Sequence, residues 1–279
     1  MFKRTKLWTS MNLVTFVGAV AISGCDNAGE AGHASNASAH AGNHSTAAAP
    51  YAGGKGDGEG EGVATANPEM SDLEYLTQIG LMRGHLFVGY SLYEQGHIGH
   101  AKTHMKHPKS ELYANLIPAF EARKSRGFGD ELDQLSNAVN AEKDLATVTQ
   151  IYKQLETAIL KAESQVGAQS SSASADLSLA SALLKVAGEE YGIAVVDGKM
   201  QNAHEYQDAL GFTHIAEVIL SDTKVADPAE KAALKKAVSF ITDLKPHWPG
   251  LIPPNELSTK ASEIYGVASR VELLAMGLK

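Results

Sequence analysis

From Ser71 to the C-terminus, apolar residues recur three and four positions apart, with few of the two-residue alternations that mark strands. That spacing lines up one face of a helix, so it confines the body to helices packed on one another. Ser71-Asp72-Leu73-Glu74 reads as a capping box opening the first helix. This helix is expected to run to about Gln95, with Leu76, Ile79, Leu86 and Tyr93 on its apolar side, and to stop at Gly96. Further helices are expected over 98–107, 109–125, 129–141 and 144–165. After a Ser/Ala/Gly loop near 167–175 they resume over 176–196, 199–221, 228–244 and 255–277. Asp227-Pro228 is a cap followed by proline at the first helical position. Pro246, Pro249, Pro253 and Pro254 mark one long irregular connection, 245–254. The expected fold class is all-α, a bundle of roughly eight helices across residues 71–279.

The pattern looks doubled. Val88-Gly89, Gly96 and Ala101 parallel Tyr191-Gly192, Gly198 and Ala203, and Leu145 with Ile151-Tyr152 parallels Leu257 with Ile264-Tyr265. Two tandem four-helix units, 71–167 and 174–279, are one reading; a single bundle is the other.

The N-terminus reads as an address. Lys3, Arg4 and Lys6 precede the apolar run Met11–Ile22, too short to span a bilayer but suited to a secretory signal over residues 1–24. The run ends in Ile22-Ser23-Gly24-Cys25, and Cys25 is the single cysteine of the chain. This resembles the lipobox of bacterial lipoproteins, which implies lipidation of Cys25 and a membrane anchor facing the periplasm or cell exterior. Asp26, next in line, resembles an inner-membrane retention signal. With Cys25, residues 26–70, rich in Ala, Gly, Ser, Asn and His and including Gly-Asp-Gly-Glu-Gly-Glu-Gly at 56–62, read as a flexible tether. One cysteine rules out a disulfide framework, a Cys-rich zinc site, an Fe–S cluster and c-type haem attachment. A net charge of −8 without a basic stripe argues against nucleic acid as partner.

Histidine carries the chemical signal. Five of the eleven histidines fall between residues 85 and 107. His97, His100, His104 and His107 recur at three, four and three, inside an arc of roughly 80° on a helix, and Glu111 would extend the row. Imidazoles one turn apart can share a transition metal, and with carboxylate they suit iron, copper, nickel or zinc. His97, His100 and His104 are the expected ligands. Pro108 is expected to break the helix at His107. His85 on the preceding helix can complete the site; Met82 and Met105 would favour copper, or fill gaps in the core. A second, thinner group comprises His204 with Asp208 one turn on, and His214 with Glu217; Glu189-Glu190 can add carboxylates. His204-Glu205-Tyr206-Gln207-Asp208 is not the two-histidine zincin motif, because its fifth residue is aspartate. The competing reading is a solvated helix face that uses histidine among Lys102, Lys106 and Lys109.

Tyr191–Glu217, with Gly192, Gly198, Ala203 and the run Glu205–Phe212, resembles the periplasmic helical regions that accompany bacterial FTR1-type iron permeases. His214-Ile215-Ala216-Glu217 after Gly211 is also similar to the Gly-x-His-x-x-Glu motif of imelysin-like proteins, although two residues rather than one separate the glycine from the histidine here. The resemblance implies iron handling, with His214 and Glu217 as metal candidates and an inner-membrane metal permease as partner. No nucleophile–base pair, phosphate loop or dinucleotide fingerprint is recognisable, so a metal would be cargo or structural. The expected function is a metal-binding envelope lipoprotein accessory to iron or copper uptake. The alternatives are a scaffold that binds another envelope protein, and a b-type haem protein using His85 with a stripe histidine, or His104 with His214.

Overall fold

The computed structural model describes residues 71–167 and 172–278. The signal peptide, Cys25 and the tether expected at the N-terminus lie outside the described residues. Nine α-helices make up the described body: α1 Asp72–Glu94, α2 Ile98–His107, α3 Ala114–Ala122, α4 Gly129–Asn140, α5 Leu145–Glu163, α6 Ala173–Ala194, α7 Ala203–Asp222, α8 Pro228–Thr242 and α9 Ala261–Met276. The fold is all-α. No described helix is long and apolar enough to cross a membrane.

Capping follows the sequence. Ser71, Asp144, Ser172, Asn202 and Asp227 each accept a backbone N–H in the first turn of the following helix. The α4 N-cap residue, Phe128, supplies no such bond. Tyr113 Oη takes its place, accepting from Phe128 N at 3.1 Å and Gly129 N at 2.8 Å.

Three expectations are corrected. Pro108 does not break the chain at His107; Pro108–Tyr113 continues as a π-helical segment into α3. A shifted register suits a proline, which has no N–H to give to the α ladder. The helix expected from 199 starts at Ala203, because Val195–Val196 and Lys199–Met200 pair as a short antiparallel hairpin. Its turn, Asp197-Gly198, has positive φ at both residues, 51° and 76°, as a primed hairpin turn requires. The helix expected from 255 starts at Ala261, since the proline-rich connection extends further and bridges back to Lys199.

Helices α6 to α9 pack on one another as a four-helix unit, and α1 lies across α6 and α7 while also packing on α2 and α5. The core is continuous from Tyr75 and Ile79 on α1 to Val267 and Val271 on α9. The α1–α7 crossing is close enough to exclude a methyl group. A Cβ on Gly211 would lie 2.5 Å from Gly84 O, and one on Gly84 would lie 2.5 Å from the Phe212 ring. At Gly89 of α1, a Cβ would lie 2.6 Å from Met105 Cε and 3.1 Å from His104 Cβ of α2. Glycine lets three helices meet beside His85, which follows Gly84, and Asp208, three residues before Gly211.

Candidate metal centre

At that crossing three imidazoles converge on one carboxylate. His85 comes from α1, His104 from α2, and His204 and Asp208 from consecutive turns of α7. His85 Nδ1 lies 2.6 Å and His104 Nδ1 3.1 Å from Asp208 Oδ1, while His204 Nδ1 lies 3.0 Å from Asp208 Oδ2. The His85 and His104 side chains are 1% and 0% exposed and Asp208 is 2% exposed; His204, at 11%, is nearest the surface of the four.

Packing fixes each ring. The edge of Phe212 meets His85 at 5.1 Å, and His104 and His204 stack face to face at 4.0 Å with 12° between their planes. His104 Nε2 lies 2.9 Å from Gln207 Oε1, and Gln207 Nε2 donates to Leu251 O at 2.9 Å. An amide oxygen only accepts, so His104 carries a proton on Nε2. The proline-rich connection is thereby part of the site. Besides holding Gln207, it receives the Tyr206 hydroxyl at Gly250 O, and its Trp248 indole donates to Tyr206 O.

Electrostatics set the protonation states. Burial pushes the Asp208 carboxyl up, but attraction to the His85 and His104 imidazoles outweighs it and holds the group well below the usual carboxylate range. Burial pulls His104 below its ordinary value, against the pull of Asp208. A metal ion takes the carboxylate ionised and the imidazoles neutral, so its binding here would release protons from the rings.

The donor set fits a transition ion. His85, His104 and Asp208 offer ligand atoms all within 4.8 Å of one another, and so do His204, Glu205 and Asp208. Asp208 Oδ1 lies within ion-pair distance of the Nδ1 atoms of both His85 and His104, so one oxygen and two ring nitrogens face a common point. This buried His/Asp group can hold a metal ion.

The histidine stripe divides. His104 points inward, whereas His100 is exposed and His97 is the half-buried residue that starts α2. Neither belongs to a ligand group among the described residues. The reason is axial distance: residues on one helix face still rise about 1.5 Å each, and only the turn holding His104 reaches the α1–α7 crossing. His107 and Glu111 lie on the α2 and π-helical backbone, and their side chains lie outside the described atoms. His214 stacks on Phe87 at 3.8 Å and Glu217 accepts from Thr242 Oγ1, both apart from the cluster's ligand groups. Met82 and Met105 are core residues. Sequence reasoning passed over Glu205 and Gln207 and left Asp208 as a neighbour of His204. The available signal was that four polar residues, His204, Glu205, Gln207 and Asp208, fall within five positions just before the mostly apolar run Ala209–Phe212.

Residues 166–275 match the family model of the iron permease-associated 4-helix bundle domain. The match spans α6 to α9 and so includes His204, Glu205 and Asp208; His85 and His104 come from the part of the chain before it. No curated protein and no solved structure matches the chain.

Proposed function

We propose that this protein is an envelope-facing, lipid-anchored accessory of an iron permease that binds transition metal at the cluster around Asp208, which brings together His85, His104 and His204. The observation that carries the reading is the convergence of two buried imidazoles and a third, half-buried one on one ionised carboxylate. Imidazole and carboxylate without sulfur suit iron, zinc or copper(II), and similarity to a domain associated with iron permeases favours iron. The ion is read as cargo: the cluster contains no nucleophile paired with a base. Delivery to a membrane permease would use the tether of residues 26–70 and the lipid on Cys25, with Asp26 favouring the inner membrane.

A b-type haem is disfavoured by the same geometry. It would need two imidazoles facing each other across a flat macrocycle, whereas His85 and His104 share one carboxylate oxygen and His104 stacks directly on His204.

The test is the metal content of the whole chain, purified without a histidine tag, beside His104→Ala and His100→Ala. The reading predicts at least one iron, zinc or copper per chain in wild type and His100→Ala, with a clear loss in His104→Ala. Wild-type protein that stays metal-free under micromolar ion overturns it in favour of a scaffold binding another envelope protein; equal loss in both variants overturns the assignment of the ligands.

A further inference from the structure

Asp208 divides its two oxygens between two sets of donors. Oδ1 faces His85 and His104, while Oδ2 faces His204. Glu205, 3% exposed and one turn before Ala209, joins His204 and Asp208 in a second set whose ligand atoms lie within 4.8 Å. Its Oε1 accepts from Asn202 Nδ2 at 3.3 Å, which orients the carboxylate at the start of α7. The His104 and His204 rings are nearly parallel and 4.0 Å apart, and each presents Nδ1 to a different oxygen of the same carboxylate. Two ions bridged by a carboxylate sit about 3.5–4 Å apart. Parallel imidazoles at the stacking distance would ligate two such ions side by side, and could not both bind one ion without losing their stack.

We infer that the centre is dinuclear: Asp208 bridges an inner ion held by His85 and His104 and an outer ion held by His204 and Glu205. The inference rests on the metal-binding reading above and extends it to a second ion. The outer position is on the side of His204, the most exposed of the three imidazoles, so it receives an incoming ion first. The inner position, behind side chains 0–2% exposed, is the more secluded store. Each ion would have three protein donors and room for water or a departing ligand, which suits a carrier better than a closed structural site.

The probe is cobalt(II), titrated anaerobically into the whole apo chain, with visible absorption giving stoichiometry and electron paramagnetic resonance giving coupling. The dinuclear reading predicts two equivalents bound by wild type, with the resonance of the first ion attenuated as the second enters. Glu205→Gln is expected to bind one equivalent with an uncoupled signal, and so is His204→Asn; their retained single ion also shows that they fold. One equivalent in wild type, or two uncoupled ones, overturns the dinuclear centre while leaving the metal-binding reading intact. No binding by wild type overturns both. A Glu205→Gln chain that binds two equivalents, or none, overturns the assignment of Glu205 to the outer ion alone.

Discussion

Asp208 is where burial, charge and coordination meet. An ionised carboxylate this deep is tolerated because three imidazoles surround it, and the same arrangement places it in both groups that could hold an ion. Gln207 acts through His104, holding its tautomer. Gln207→Leu should weaken metal binding about 10–100-fold, the usual scale for losing a hydrogen bond to a ligating histidine, in a competition titration against a chromophoric chelator. A shift below twofold would show that the amide merely packs. His214 offers a separate check on the electrostatics. Burial, reinforced by the positive charge of Arg83, lowers it to about 4. Its unfolded value is near 6.5, so between those two pH values the unfolded chain binds the extra proton. Stability therefore falls as pH drops through that window and is fully present above it. The contribution is on the order of 3 kcal/mol, read as the loss in urea-unfolding free energy from pH 7 to pH 4. His214→Phe, which keeps the stack on Phe87, should shrink that loss; an unchanged loss would contradict the assignment.

Elements set the precision of the site through glycine. Gly211→Ala places a methyl 2.5 Å from the Gly84 carbonyl oxygen, which is backbone and cannot swing aside. The expected cost is about 1–3 kcal/mol in thermal or denaturant unfolding, together with weaker metal binding as α1 and α7 separate. Gly99→Ala, in α2 with nothing within 4 Å of the added carbon, should stabilise by about 0.5–1 kcal/mol. If both substitutions behaved alike, the close crossing would not be what positions His85 beside Asp208. Legibility in the sequence follows the same division. Periodicity and caps are local, so helix starts at Asp72 and Pro228 could be read directly from Ser71 and Asp227. The crossing at Gly84 and Gly211 is not local. Nothing within either helix states that position 84 meets position 211, so His85, His104 and His204 were visible as candidates but not as one group. The even look of the stripe at 97, 100 and 104 concealed that a helix face extends lengthwise while its partner crosses at one turn. Pro108 misled for a related reason: the preference before proline is local, and the core contacts of Leu112 and Leu116 together with the Tyr113 cap on α4 carry the helix through.

The whole molecule assembles the centre from two regions. The stretch matching the iron permease-associated bundle supplies one imidazole and both carboxylates, and the preceding helices supply the other two imidazoles. On the proposed reading, metal binding would couple α1 and α2 to the four-helix unit and should stabilise the entire described body. At an ion concentration about 100 times Kd the gain is about 2.7 kcal/mol, seen as a rise in Tm of the single unfolding transition. Asp208→Asn should abolish that rise. The most direct measurement is an anomalous difference map from crystals of the metal-loaded chain, collected at the absorption edge of the bound metal. The account predicts density beside the Asp208 carboxylate, about 2.0–2.2 Å from imidazole and carboxylate donors contributed by α1, α2 and α7. A peak at His97 or His100, or no ordered peak from protein that carries metal in solution, would contradict it.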